Sequence, residues 1–467
     1  MEGDYRGRRV VVLGIARQGI ALARYLVGHQ ATVVVSDLRP AEELRHALAQ
    51  LADLSVAAVL GGHPVALLDG ADLVCLSGGV PTDAPIVREA NSRGIPITND
   101  SQIFLERCPS PVIGITGSAG KTTTTALVGE MCRLDLEIAE RRVWVGGNIG
   151  RSMLPDLAEI RSNDLVVMEL SSFQLEIMSR SPCIAAVLNL TPNHLDRHKT
   201  MERYAAAKAR ILQYQTETGI AVLGRDDSGA WSMRDRVRGR LRLFSAKTVV
   251  EPGVFVREGQ IWVRREREEL AVCPVDEVRL RGGHNLLNTL AAVALAEAAQ
   301  VSIPSMAEAA RTFGGVEHRL ELVRELNGVQ WYDDSSATAP ERTMAALHAF
   351  SEPIVLLVGG RDKNLPWSEA AALIAERVRD LVLFGEVAGL VRSQLDVSRP
   401  RTVVQVDGLE AAVEAAARLA RPGDVVLLSP GGTSFDAYRD YAERGDHFRA
   451  LVQQLQADGS MVGDEVA

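Results

Sequence analysis

The stretch around Lys121 constrains this chain more than any other. Pro111 to Ile115 is an apolar run that predicts a buried strand. It leads into Gly117-Ser118-Ala119-Gly120-Lys121-Thr122-Thr123, and Ala126, Leu127, Val128 and Met131 then follow a helical pattern. Strand, glycine turn and helix start form the context that a phosphate-binding loop requires. The glycines let backbone N–H groups approach phosphate oxygens. The helix N-terminus adds partial positive charge. Lys121 has the reach to contact outer phosphates, and the Thr122 hydroxyl is suited to Mg²⁺. The loop is GxxGKT, shorter than the usual GxxxxGKT.

A chain of 467 residues is expected to hold about three domains. The breaks fall at Cys108-Pro109-Ser110-Pro111 and near residue 315, giving 1–109, 110–315 and 316–467. A net charge of −9 argues against a general nucleic-acid-binding face, which is basic. Cys75, Cys108, Cys132, Cys183 and Cys273 are scattered and lack a CxxC spacing. That pattern fits reduced thiols in a cytosol. The apolar run near the N-terminus is too short for a signal peptide. No segment approaches the ~18 apolar residues of a membrane span.

Strand and helix signals alternate throughout. In the first domain, strands are predicted at Arg9–Leu13, Ala31–Ser36, Leu73–Leu76 and Ile95–Ile97, with a helix over Ile20–Leu26. This implies a doubly wound, Rossmann-like α/β sheet. The GxGxxG fingerprint is absent, because Gly14 and Gly19 are spaced GxxxxG. Asp37 follows about 20 residues after the glycine turn, where an acid can meet a ribose or base. The second domain has strands at Asp164–Met168 and Ala185–Leu190, short antiparallel strands over Leu241–Leu280, and a helix over Asn285–Ala298. The third repeats the α/β alternation, with strands at Val329–Tyr332, Pro353–Val358, Asp380–Phe384, Thr402–Val406 and Asp424–Leu428.

The polar residues that follow these strands are candidates for chemistry, because open α/β sheets bind ligands at the C-terminal strand edge. Glu169 ends one strand as a Mg²⁺ ligand candidate, and His194 and Asp196 follow another. Lys208 lies on an alanine-flanked helix face, and spacing alone makes it a solvated lysine. Asn288 opens a helix after Gly282-Gly283, and Arg319 sits at the junction before the third domain. Three loops of the third domain, around Asp334, Lys363 and Ser434, define a binding rim.

The segments TGSAGKTTT, GGNIG, ELSSFQLE, LNLTPNHLDRH, YAAAKARIL, GGHNLLN, EHRLE, LVGGRDK and SPGGTSFDAYRDYAERGDHF occur in the order in which the Mur ligases carry their motifs. The chain resembles that family along all three domains. The resemblance implies a Rossmann-like first domain for a UDP-sugar, a central P-loop ATPase-type domain, and a Rossmann-like third domain for an acceptor amino acid. It implies a cytoplasmic, monomeric, ATP-dependent amide ligase of peptidoglycan precursor synthesis. Such an enzyme joins D-glutamate to UDP-N-acetylmuramoyl-L-alanine through an acyl-phosphate and a tetrahedral intermediate.

By resemblance, Gly117, Ser118, Ala119, Gly120, Lys121, Thr122, Thr123, Asn288, Arg319 and Asp334 bind ATP. Lys121, His194 and Lys208 are catalytic. Thr122, Glu169, His194 and Lys208 hold two Mg²⁺ ions, with Lys208 carried as a carbamate. Asp37, Arg39, Ser77, Gly79, Asn148, Ser171 and Asp196 meet the UDP-substrate. Thr338, Lys363, Ser434, Phe435 and Tyr441 meet the acceptor. The chain departs from the family where Ser336 stands in place of the usual Lys, and where Gly431-Gly432-Thr433 replaces Ala-Cys-Ala. Both changes fall near the acceptor site. A P-loop ATPase acting on a macromolecular partner is the main alternative class, disfavoured by the acidic charge. A folate-directed relative is disfavoured by the UDP-type first domain, and an inactive homologue by the presence of Lys121, Glu169, His194 and Lys208.

Overall fold

The computed structural model describes residues 5–136, 140–148, 151–266, 268–363, 365–395 and 400–456. Its strands form three sheets. In the first, β1 (Arg9–Leu13), β2 (Thr32–Asp37), β3 (Val56–Leu60), β4 (Leu73–Leu76) and β5 (Ile97–Thr98) run in the order β3-β2-β1-β4-β5, and all pairs are parallel. Valine-rich strands buried on both faces are what a parallel sheet covered by helices requires. The chain reverses its direction of travel between β1 and β4, which opens a crevice at their C-terminal ends.

The central sheet contains β6 (Val112–Thr116), β7 (Val143–Gly147), β8 (Leu165–Glu169), β9 (Ile184–Val187), β10 (Ile220–Gly224), β11 (Arg240–Ser245), β12 (Gly253–Arg257), β13 (Gln260–Arg264) and β14 (Glu269–Pro274). Their order is β14-β13-β12-β11-β10-β9-β6-β8-β7. Only part of 241–280 is antiparallel: β12, β13 and β14 are, whereas β11 runs parallel to both β10 and β12. The β12–β13 hairpin turns on Glu258 and Gly259, both at positive φ, the backbone that a two-residue hairpin favours. β11 instead arrives by a crossover through Ser228–Arg236, which makes it parallel.

The third sheet runs β15-β16-β20-β17-β18-β19. Its strands are β15 (Glu321–Leu326), β16 (Val329–Asp333), β17 (Ile354–Gly359), β18 (Val378–Leu383), β19 (Thr402–Gln405) and β20 (Val425–Gly431). All are parallel except the edge hairpin β15–β16.

Packing divides the chain into two compact units: residues 1–278 with 284–312, and residues 279–283 with 313–467. The first two sheets belong to one unit because the chain near residue 109 is tied across the break. Asn99 Nδ2 donates to the Gln174 carbonyl at 2.8 Å, Gln174 Nε2 to Ser101 Oγ at 2.7 Å and Ser152 Oγ to Asp100 Oδ2 at 3.0 Å. One apolar cluster runs from Val10, Leu22 and Phe104 to Met153, Leu170 and Leu212. Residues 279–283 go with the second unit through Arg281, which donates to Glu352 Oε1 at 2.5 Å and Gln330 Oε1 at 3.0 Å.

Candidate active site

Strand order brings the central candidates together. β9, β6 and β8 are neighbours and parallel, so the loops after them share one edge. The loop after β6 holds the Gly117–Gly120 turn, and the helix Lys121–Leu136 starts directly behind it. Gly120 has φ +79°, and a Cβ there would lie 2.1 Å from Asn288 Oδ1. Only glycine fits that position. Ser118 is buried, and its Oγ donates to the Thr191 carbonyl at 2.8 Å and accepts from Thr191 N–H at 2.9 Å. Ala119 N–H donates to Asn189 Oδ1 at 2.8 Å, and Asn189 Nδ2 donates back to the Ala119 carbonyl at 3.1 Å. Asn189 thus splints the turn. Sequence reading passed over it, although an amide directly after the neighbouring strand was a usable signal.

Lys121 Nζ donates to the Gly117 carbonyl at 3.0 Å and lies 3.4 Å from that of Ser118. Thr123 lies in the first turn of the same helix. Asn288 is buried and accepts at Oδ1 from Thr124 Oγ1 at 3.5 Å.

Glu169 ends β8 with 2% of its surface exposed. Thr122 Oγ1 donates to its Oε2 at 2.8 Å and Asn148 Nδ2 to its Oε1 at 2.7 Å. Both of these partners are neutral hydrogen-bond donors. Burying a carboxylate in that way is costly unless a cation joins it. The hydroxyl, amide and carboxylate oxygens form the donor set that suits Mg²⁺.

Lys208 is 1% exposed, which overturns its reading as a solvated lysine. Its Nζ donates to the Gly117 carbonyl at 2.8 Å and lies 3.3 Å from Thr116 Oγ1. Tyr204, one helical turn earlier, places its ring 4.7 Å from that nitrogen and its hydroxyl 3.1 Å from Ser118 Oγ. Burial, then the Lys121 charge, lowers the Lys208 pKa well below the usual lysine range, against the pull of Glu169. A neutral amine is the form that adds CO₂ as a carbamate, so the site fits that modification.

His194 is exposed and left-handed (φ 53°, ψ 33°) before the short helix Leu195–His198. Its ring lies 5.0 Å from that of Phe173. Asp196 belongs to that helix, and its side chain is outside the described residues. Ser171 caps the turn after β8, with its Oγ accepting from Gln174 N–H at 3.2 Å.

The first sheet gathers its candidates by the same rule, at the ends of neighbouring β2, β1 and β4. Asp37 is 5% exposed. Its carboxylate accepts from Ile15 N–H at 2.8 Å, Arg39 N–H at 3.0 Å, Arg39 Nε at 3.0 Å and Arg39 Nη2 at 2.8 Å. Burial alone would raise its pKa, but the Arg39 hydrogen bonds outweigh it and hold the carboxyl well below the usual range. A depressed folded-state pKa adds stability that is full above the unfolded value of about 4 and fades as pH falls below it. Asp37→Asn is therefore expected to lower the urea midpoint at pH 7, with the gap from the parent narrowing progressively as pH falls below about 4; equal midpoints at pH 7 would contradict the assigned role of this carboxylate. Ser77 is buried beside Gly14, and Gly79 is exposed.

In the second unit, β16, β20 and β17 are adjacent, so the three predicted rim loops share one edge. Asp334 accepts from Ser429 Oγ at 2.8 Å and Leu320 N–H at 3.3 Å. Burial pushes its carboxyl up to about 7, against the Ser429 hydrogen bond and helped by the Asp333 charge. Arg319 follows at the start of this unit, with its N–H donating to the Val316 carbonyl at 3.0 Å. Lys363 Nζ lies 3.3 Å from Thr338 Oγ1. Ser434 is buried, whereas Phe435 and Tyr441 are exposed. Arg444 was not singled out from sequence. It is fully buried and donates to Ser335 Oγ at 3.0 Å, the Ser335 carbonyl at 2.8 Å and the Gly432 carbonyl at 3.2 Å.

Comparison with known proteins agrees with this arrangement. Family models match in order: the Mur ligase MurD-like N-terminal domain over residues 8–99, the Mur ligase middle domain over 115–296, and the Mur ligase glutamate ligase domain over 318–432. A UDP-N-acetylmuramoylalanine–D-glutamate ligase of Symbiobacterium thermophilum is 42% identical over 97% of this chain and 100% of its own length. A protein of the same name from Pelotomaculum thermopropionicum is 40% identical over 97% and 99%. Among solved structures, UDP-N-acetylmuramate-alanine ligase MurC of Thermotoga maritima aligns with TM-score 0.58 at 20% identity, covering 96% of this chain and 100% of that one. MurF ligase of Thermotoga maritima in complex with ADP aligns with TM-score 0.55 at 18% identity, covering 97% and 99%. These two share the fold, and the full-length identity to the curated relatives goes further: the chain belongs to the Mur ligase family.

Proposed function

We propose that this chain is an ATP-dependent ligase that joins D-glutamate to UDP-N-acetylmuramoyl-L-alanine. The observation that carries the reading is the single edge at which β9, β6 and β8 gather the phosphate turn, Lys121, the Thr122–Glu169–Asn148 cluster and Lys208. Residues 1–109, 110–315 and 316–467 serve the UDP-substrate, ATP and the acceptor respectively. The enzyme acts as a cytoplasmic monomer; among the described residues, no helix is long and apolar enough to cross a membrane.

The substrate carboxylate attacks the γ-phosphorus of ATP, ADP leaves, and an acyl-phosphate forms. The acceptor amine then adds to its carbonyl carbon. The tetrahedral intermediate collapses to the amide and releases phosphate. Gly117 to Thr123 form the turn that cradles the phosphates, with the first-turn N–H groups of Lys121, Thr122 and Thr123 offered to them, and Lys121 neutralises charge that develops on the transferred group. Asn288 buttresses Gly120, and Arg319 and Asp334 are assigned to the nucleotide. Thr122 and Glu169 would hold one Mg²⁺; His194 and carbamylated Lys208 would hold a second. Bound there, Mg²⁺ supplies charge neutralisation for phosphoryl transfer. Asp37, Arg39, Ser77, Gly79, Asn148, Ser171 and Asp196 orient the UDP-substrate. Thr338, Lys363, Ser434, Phe435 and Tyr441 orient the acceptor.

The acceptor pocket supports an acidic amino acid. Lys363 is a cation at its rim, and partial burial, followed by the Arg342 and Arg444 charges, lowers its pKa. Ser336 in place of the family's Lys leaves more of the carboxylate recognition to Lys363, because a charge-assisted bond is about twice as strong as a neutral one. Phosphate release from ATP is expected to require both UDP-N-acetylmuramoyl-L-alanine and an amino acid. With D-glutamate, L-glutamate, D-aspartate and L-lysine at equal concentration, D-glutamate is expected to react fastest. Faster turnover with L-glutamate or L-lysine would refute the acceptor. Hydrolysis that needs neither substrate would refute the ligase.

A further inference from the structure

The turn between β4 and the following helix, Ser77-Gly78-Gly79-Val80, is held from several sides. Ser77 N–H donates to the Leu13 carbonyl at 2.9 Å, and Val80 N–H donates to the Ser77 carbonyl at 2.9 Å. Gly78 N–H donates to Gln18 Oε1 at 2.8 Å. Of the four N–H groups, that of exposed Gly79 is the one with no acceptor among the described residues. The remaining restraint comes from the other sheet of the same unit. Arg197 Nη1 donates to the Gly79 carbonyl at 2.9 Å, and Nη2 donates to that of Val80 at 2.5 Å. The guanidinium also lies 4.5 Å from the centre of the Phe173 ring. Phe173 sits between Ser172 and Gln174 behind β8, with its other contacts to His194 at 5.0 Å and His198 at 5.4 Å.

We propose that Arg197 is a positioning residue for the UDP-substrate: by gripping two successive carbonyls it sets the Gly79 peptide so that its free N–H faces the ligand's diphosphate. The inference rests on the proposed function, since it presumes that Gly79 meets that diphosphate. A planar guanidinium suits the task because its forked donors reach both carbonyls while its face lies on an aromatic ring. The same ring meets the His194 ring edge-on at 5.0 Å. Arg197 therefore joins the donor-substrate turn to the edge where acyl transfer takes place, without touching substrate itself. A backbone N–H offered to a phosphate binds well only if its peptide plane is already oriented, because otherwise binding must absorb the ordering entropy.

The experiment compares Arg197→Met, Arg197→Lys and Phe173→Leu with the parent in steady-state ligation and in calorimetric binding of UDP alone. Arg197→Met is expected to raise KM for UDP-N-acetylmuramoyl-L-alanine and Kd for UDP by about tenfold or more. KM for ATP and for D-glutamate should stay within about twofold, and kcat should hold to a similar factor. Arg197→Lys should recover part of the loss, since it restores one donor but not the fork. Phe173→Leu keeps both hydrogen bonds and should show a smaller shift in the same direction, which provides the reading if Arg197→Met folds poorly. A uniform rise in all three KM values, or unchanged UDP affinity in both the Met and Leu variants, would overturn the inference. Failure of the parent itself to bind UDP would overturn the proposed function and this inference with it.

Discussion

Lys208→Ala is expected to lower the ligation rate by about a hundredfold or more, with partial recovery when a short carboxylic acid is supplied. The lysine nitrogen is buried, rests on the Gly117 carbonyl and stacks on Tyr204. Burying an ammonium carries a desolvation penalty on the order of several kcal/mol, which the Glu169 charge only partly offsets. Burial therefore shifts this lysine toward the neutral amine, the form that captures CO₂. As pH falls through its lowered pKa the amine gains a proton, so the carbamate and the activity should decline together on the acid side. Lys208→Met keeps most of the volume beside Tyr204 and separates packing from chemistry: it should fold like the parent and be equally inactive. Mass spectrometry of the intact, unheated protein should show one added CO₂ in the parent and none in the variant. Parent-like turnover in either variant would eliminate the carbamate.

Lys121→Ala is expected to reduce kcat by about two to three orders of magnitude, or about 3–4 kcal/mol, with a smaller change in the KM for ATP. Lys121 Nζ lies within hydrogen-bond reach of the carbonyls of Gly117 and Ser118, in the turn assigned to the phosphates. Its charge matters most when the γ-phosphoryl group is in transit, so the loss should fall on turnover rather than on binding. The fold should survive, because Ser118, Asn189 and Asn288 brace the turn independently of this side chain. Thermal midpoints within a few degrees of the parent would accompany the loss. Single-turnover acyl-phosphate formation at the parent rate would remove Lys121 from the phosphoryl-transfer step.

Much of the fold was legible because its signals are local. Apolar runs ending in glycine or acid marked β1, β2, β6, β8 and β17, and the strand–turn–helix pattern at Lys121 needed no long-range information. Strands with weaker local signals were passed over. Val56–Leu60 is a partly exposed, alanine-containing edge strand, and Glu321–Leu326 is a charged edge strand. Ile220–Gly224 is fully buried and apolar, so its run was readable and was overlooked.

The sequence by itself determined the residue types at the strand ends and hence the candidate chemistry: a phosphate turn, an acid after β8, an acid after β2. It did not determine which strand ends meet. Adjacency of β9, β6 and β8, of β2, β1 and β4, and of β16, β20 and β17 follows from crossovers that join distant segments. Local periodicity carries no record of those crossovers. For the same reason only the tertiary structure could show that Lys208 is buried rather than solvated, that Asn189 splints the phosphate turn, and that Arg197 reaches a turn more than a hundred residues earlier. Burial and hydrogen-bond partners are properties of neighbours in space, and a helix face of alanines looks the same in sequence whether it meets water or the floor of an active site.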